Sequence, residues 1–184
     1  CGSPDPEPLY QPIGTRRGVM VCLCKGCGLL QSVPQKTRGN GVPSTSHNSD
    51  YGNLRQGKIS RAAPNLDFLR RNVSGFQPQR VLDVGASRGA LVKLFLDTWP
   101  DIEGIIALEP YPELLPDEVT RNYKVEVIGG PIEEIHYFNV SLDLITCIHS
   151  LEHFDTPLDT LKKLREALAP DGWLLVEVPN IRGL

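Results

Sequence analysis

No stretch of this 184-residue chain approaches the ~18–20 consecutive apolar residues of a membrane span, and no secretory signal is visible. A cytoplasmic protein with no membrane partner is therefore expected. An initiator methionine is missing and the chain stops just after an apparent strand, so a piece of a longer protein, open at both ends, is expected. An excess of basic charge is also missing: the net charge of −3 argues against a general nucleic-acid binder. Cysteine is nearly absent beyond residue 31, because four of the five (Cys1, Cys22, Cys24 and Cys27) precede it. What is present is ordinary for a globular protein, with 40% hydrophobic and 22% charged residues. The length suffices for one core domain and a small appendage.

The charge is unevenly placed. Residues 1–61 hold eight Lys/Arg against three Asp/Glu, about +5, and the remainder holds eleven against nineteen, about −8. A basic arm can contact a phosphate-bearing substrate, and it can equally be a solvated face. Within that arm, Cys24-Lys-Gly-Cys27-Gly28 has the spacing of a zinc knuckle. Tetrahedral zinc takes four ligands, usually from two such pairs. Cys1-Gly2 fits the end of a first pair, so Cys1, Cys24 and Cys27 are the expected metal ligands, with Cys22 in reserve. A redox pair and a metal-free turn are the competing readings.

Residues 32–58 are rich in Gly, Ser, Asn, Thr and Pro and read as loop. Tyr51, the aromatic residue there, either covers a site or anchors the loop. Pro64 suits the first turn of a helix carrying Leu66, Phe68 and Leu69. The expected domains are thus a cysteine-rich segment at 1–31, a linker and lid at 32–63, and a main domain at 64–184.

The main domain is organised around Arg80–Leu94. Val81, Leu82 and Val84 form a short apolar run suited to a buried parallel strand. Gly85 and Gly89 permit a sharp turn, and Leu91, Leu94 and Phe95 begin a helical face. A dinucleotide loop wants glycine at the second position of G-x-G-x-x-G, where Ser87 stands. Ile105–Glu109 is a second apolar run, ending in an acid twenty residues after Gly89. An acid there can accept both hydroxyls of a ribose. Further strands are expected at Tyr123–Ile128, Leu142–Ile148 and Trp173–Val178. Thr156–Leu168 reads as a helix with Leu158, Leu161, Leu164 and Leu168 as its buried stripe, ended by Pro170-Asp-Gly172. Between the last two strands, His149-Ser-Leu-Glu-His153 places two imidazoles four residues apart. On a helix they would share a face, and either could take a proton from a substrate. The bland alternative is that Glu152 and His153 tie the loop to the backbone.

Asp83-Val-Gly85-Ala-Ser-Arg-Gly89, Glu109, the His149–His153 segment and Leu168-Ala-Pro-Asp-Gly172 occur in the order found in class I S-adenosylmethionine (SAM) methyltransferases. From Gln79 to Asn180 the chain resembles that family. The resemblance implies an α/β, Rossmann-like, doubly wound and mostly parallel sheet, cut off after its fifth strand, with a small zinc-ribbon-like segment ahead of it. It implies SAM as cofactor. Asp83, Gly85, Ala86, Ser87 and Gly89 would shape the wall around the methionine end. Glu109, with Pro110 beside it, would hold the ribose, and Tyr111 would line the pocket. Ile132 would pack near the adenine, with Glu133 displaced into the role of the acid that Pro131 replaces. His149 would lie next to the transferred methyl, with His153 a second base, and Asn180 on the substrate side. The cysteine knuckle is similar to that of a subset of bacterial methyltransferases, some of which methylate nucleotide-linked sugars. A small-molecule acceptor, such as a sugar, is the implied partner. An NAD(P)-dependent oxidoreductase and a non-catalytic zinc-knuckle interaction protein are the alternatives.

Overall fold

A computed structural model of the chain describes residues 6–11, 20–33, 51–135 and 141–179. The chain divides between Thr45 and Ser46 into two compact units. The first holds a three-stranded antiparallel sheet in the order β1 (Pro6–Tyr10), β2 (Met20–Cys24), β3 (Leu30–Val33). Alternation along β2 buries Cys22 and Cys24 together. The turn into β3 is closed by the Gly28 N–H donating to the Cys24 carbonyl (2.8 Å) and the Cys24 N–H donating to that of Leu29 (2.8 Å).

The second unit begins with α1 (Tyr51–Asn72) and continues through β4 (Arg80–Val84), α2 (Ala90–Thr98), β5 (Gly104–Glu109), α3 (Asp117–Thr120), β6 (Val125–Gly129), β7 (Leu142–Ile148), α4 (Pro157–Ala167) and β8 (Leu168–Glu177). Its five strands are all parallel, in the order β6-β5-β4-β7-β8. Counted from β4 this is third, second, first, fourth, fifth, which is the doubly wound order. Strand alternation explains the two layers. Val81, Ile105, Ala107 and Leu144 face α1 and α2, packing with Leu66, Leu69, Leu91 and Phe95. Leu82, Val84, Ile106, Leu108 and Ile145 face the other way, toward Leu164 and Ala167 of α4. The central strands are buried on both faces, so they read as mostly apolar runs, interrupted by Asp83 in β4 and by Asp143 and Thr146 in β7. Side chains as enclosed as Phe95 and Leu91 each contribute roughly 1.5–3 kcal/mol.

Three expectations are corrected. The helix carrying Leu66 starts at Tyr51, so Pro64 sits inside it and residues 51–63 are helical rather than linker. Ala62, Leu66 and Leu69 make its buried stripe, which holds the helix to the sheet despite the proline, while Phe68 faces outward. In α4, Leu158 is exposed and Leu161 only half-buried; Thr160, Leu164 and Ala167 face the sheet. Pro157 at the first helical position starts the helix one turn before it reaches the sheet. Finally, Pro170-Asp-Gly172 lies within β8, where pairing jumps from Leu142↔Leu168 to Leu144↔Trp173. This is a bulge, and a Cβ on Gly172 would come 2.6 Å from the Leu142 carbonyl oxygen. No described helix is long and apolar enough to cross a membrane.

Candidate active site

Reversal of strand order between β4 and β7 opens a crevice at the carboxyl ends of the strands, where such sheets bind ligands. The turn after β4 fills one wall. Gly85 (φ 78°) and Gly89 (φ 69°) adopt left-handed conformations, and so does Ser87 (φ 53°). The Gly85 and Ala86 N–H groups donate to the Leu108 carbonyl (2.9 and 3.0 Å), and that of Gly89 donates to Ala86 (2.9 Å). The Ser87 N–H donates to Glu109 Oε2 at 2.7 Å. Glu109 Oε1 accepts from the Tyr111 N–H at 3.2 Å. The acid ending β5 is thus buried, clasped by backbone and aimed at the glycine turn. The N–H groups of Gly85, Ala86, Ser87 and Gly89 are thus all committed to protein acceptors. An ionised carboxylate accepts and does not donate, which is the complement of a ribose diol.

The remaining wall comes from β7 and β8. Ser150 Oγ donates to the Val84 carbonyl (2.9 Å), and a Cβ on Gly85 would overlap that hydroxyl. Within the sheet, Thr146 Oγ1 donates to Asp83 Oδ1 at 2.8 Å. His149 is the second non-glycine residue with a positive φ (51°) among those described. Its N–H donates to the Glu177 carbonyl (2.8 Å), its Nε2 lies 3.1 Å from Glu177 Oε1, and its Nδ1 lies 3.5 Å from Glu152 Oε1. Asn65 of α1 donates from Nδ2 to Glu177 Oε2 at 3.0 Å. Both non-glycine residues with positive φ among those described follow the carboxyl ends of two paired strands, β4 and β7.

The family model described as "Methyltransferase domain" matches residues 54–183, which include this whole crevice. The chain belongs to the methyltransferase domain family. It is 28% identical over 124 residues to the tRNA U34 carboxymethyltransferase of Trichodesmium erythraeum, covering 64% of this chain and 37% of that protein. It is 26% identical over 117 residues to the ubiquinone biosynthesis O-methyltransferase of Bordetella avium, covering 62% and 48%. The chain thus spans about half or less of the curated relatives it matches. Among solved structures, the SAM-bound amino pentose methyltransferase CalS10 of Micromonospora echinaspora superposes with a TM-score of 0.58 at 23% identity, covering 78% of this chain and 60% of that one.

Of the residues expected to form a methyltransferase site, Ser87 and Glu109 are joined by a hydrogen bond, Gly85 lies against Ser150, and His149 immediately precedes Ser150 at the end of β7. Pro110 and Tyr111 follow Glu109, half-buried. Asp83 and Ala86 are fully enclosed and act through the backbone they support. Gly89 faces away from the ligand side: a Cβ there would meet Val119 of α3 at 2.8 Å. Ile132 is 2% exposed and packed with the α4-side core, and Glu133 is exposed. The shared helical face for His149 and His153 is not formed. Leu151–His153 is a single 3-10 turn, His149 precedes it with a left-handed backbone, and His153 lies exposed, 3.9 Å from Glu152. Cys1 and Asn180 lie outside the described residues, as does the Tyr51 side chain. Cys24 is buried and Cys27 exposed, and no group of three or more metal-ligating side chains occurs among the described residues.

Sequence reasoning missed Glu177, Asn65, Ser150 and Thr146. The available signal for Glu177 was an acid at the end of the strand next to that of His149. A cleft of about 320 Å³ also opens at the opposite edge, between Arg80, Gly104, Lys124 and Leu142. Those residues lie at strand beginnings, at the edge of the sheet opposite Gly85, Glu109 and His149.

Proposed function

We propose that this domain binds SAM over the carboxyl ends of β4 and β5 and transfers its methyl group to a small-molecule acceptor beside His149. The observation that carries the reading is the Glu109 clasp: an acceptor-only group fixed by the Ser87 and Tyr111 N–H groups above a turn whose own donors are satisfied. When bound, SAM supplies an electrophilic methyl with a neutral leaving group. The protein's part is then to align the acceptor and receive its proton. Glu109 holds the ribose, the Gly85–Ser87 backbone walls the methionine end, and His149 receives the proton. A small acceptor, such as a sugar, suits a domain whose charge from residue 62 onward is about −8, because that charge repels a polyanion. Calorimetry with S-adenosylhomocysteine tests the reading. Binding by the wild type, weakened more than about tenfold (~1.4 kcal/mol) in E109A, supports it. Equal binding by both proteins, or binding of NAD instead, overturns it.

For the cysteine turn we infer half of a zinc site, Cys24 and Cys27, completed by ligands toward the N-terminus such as Cys1. Its support is the closed turn in which Gly28 (φ 73°) donates back to Cys24. Metal analysis of the full-length protein decides. Zinc lost in C24S/C27S supports the inference, and a zinc-free wild type overturns it.

A further inference from the structure

We propose that Lys163 is a positioning residue for the cofactor: from α4 it holds the turn after β6 in place as the wall that receives the base end of SAM. This deepens the methyl-transfer reading and rests on it. Lys163 is half-buried, and its Nζ donates to the carbonyl of Ile132 at 2.8 Å and to that of Glu133 at 3.3 Å. Both carbonyls belong to the 3-10 turn Ile132–Glu134. Carbonyls in the last turn of a helical segment need partners from outside it, and a cation is favoured at that end. Hydrogen bonds from a charged donor are also stronger than neutral ones. The turn itself is short. Within it the Glu134 N–H donates to Pro131 (3.1 Å) and the Ile135 N–H to Ile132 (3.2 Å), so the lysine roughly doubles the polar ties that hold it.

Strand order places this turn at the base end. With the ribose at Glu109 and the methionine arm over the turn after β4, the base leaves the ribose on the side away from that arm. It therefore lies over the next strand outward, β6, whose Gly129 stands in register with Glu109. The wall there is main chain. Ile132 turns its side chain into the α4-side core, at 2% exposure, and Gly130 (φ 104°) has open space where a Cβ would be. Gly129 is packed against Pro112, which follows the Glu109 strand. Ile132 already anchors the turn through the core. Losing the lysine should thus loosen the wall without unfolding the domain.

Calorimetry on the full chain tests this with two ligands. One is S-adenosylhomocysteine, and the other is methylthioadenosine, which keeps base, ribose and thioether but lacks the amino-acid arm. K163M, which keeps the apolar stem, should weaken both by the same factor, about fivefold, as the net worth of one hydrogen bond implies. K163R should restore binding. K162M is the control on the same helix, since Lys162 is exposed and bonded to Asp159 (2.9 Å), and it should bind both within about twofold of wild type. Hydrogen exchange supplies the second readout: the Glu134 and Ile135 amides should exchange faster in K163M, with Tm nearly unchanged. Should K163M fail to fold, K163Q, one bond shorter and uncharged, must show the same loss. Binding of both ligands within twofold of wild type, a loss confined to S-adenosylhomocysteine, or an equal loss in K162M overturns the proposal. A wild type that binds neither ligand sinks the methyl-transfer reading itself, and the two amides still report whether Lys163 holds the turn.

Discussion

Thr146 shows how much of the site is built beneath its surface. Its hydroxyl donates to the fully buried Asp83, the acid at the head of the glycine turn. T146V keeps the shape and removes the donor, leaving a buried carboxylate oxygen short of it. The expected cost is about 1–3 kcal/mol, read as a fall in Tm of roughly 2–12 °C. Affinity for S-adenosylhomocysteine should change far less, because neither residue reaches the crevice surface. Asp83 was legible in the sequence as part of the motif, but its role was not. An acid two residues before a glycine looks the same on paper whether it meets ligand or lies sealed under the turn. Glu109 was readable in both place and direction, since the end of an apolar strand fixes where its side chain emerges.

At the scale of elements, the five strands and both layers were legible because buried parallel strands write themselves as short, mostly apolar runs. The failures came where packing overrode a local signal. Pro64 marks a helix start in isolation, yet α1 continues through it. P64A should therefore stabilise the protein by about 1–3 kcal/mol in chemical denaturation. A proline at the first helical position would give almost no change, so the measurement distinguishes the two placements. His149 and His153 were paired by helical spacing, but the chain makes only one tight turn there, and three-residue periodicity separates them. Gly172 was read as the stop of a helix and proves to be the hinge of a bulge. G172A should lower Tm by several degrees, since the nearest atom the added methyl meets is the Leu142 carbonyl oxygen (2.6 Å), backbone that cannot swing aside as Leu168 Cδ2 (2.9 Å) can. It should also disturb the NMR signals of the His149 ring, because β8 carries Glu177.

Over the whole molecule, every described residue of the crevice belongs to the unit that begins at Ser46. That unit holds fourteen Lys/Arg against twenty Asp/Glu, a charge of −6, and the part before it holds five against two, +3. Residues 46–184 alone should unfold in one cooperative transition and bind S-adenosylhomocysteine within about threefold of the whole chain. Two separate transitions, or loss of binding, would show that the cysteine-bearing unit supports the crevice. The boundary was hard to place from sequence because residues 32–58 have a loop-like composition that runs into α1 without a break in hydropathy. Glu177 and Asn65 were invisible for a related reason. They are 112 positions apart, and only the assembled sheet brings them together.

The surplus residues between Leu168 and Trp173 have a practical meaning for engineering. Chain length added around Pro170 or Asp171 would be taken up in a slack that already exists, leaving the ladder from Trp173 to Glu177 in step with Leu144 to Ile148. A single residue added after Trp173 would turn every later side chain of β8 to the opposite face and carry the acid away from its imidazole. The tolerant graft point and the intolerant one are thus only a few residues apart, on a single strand.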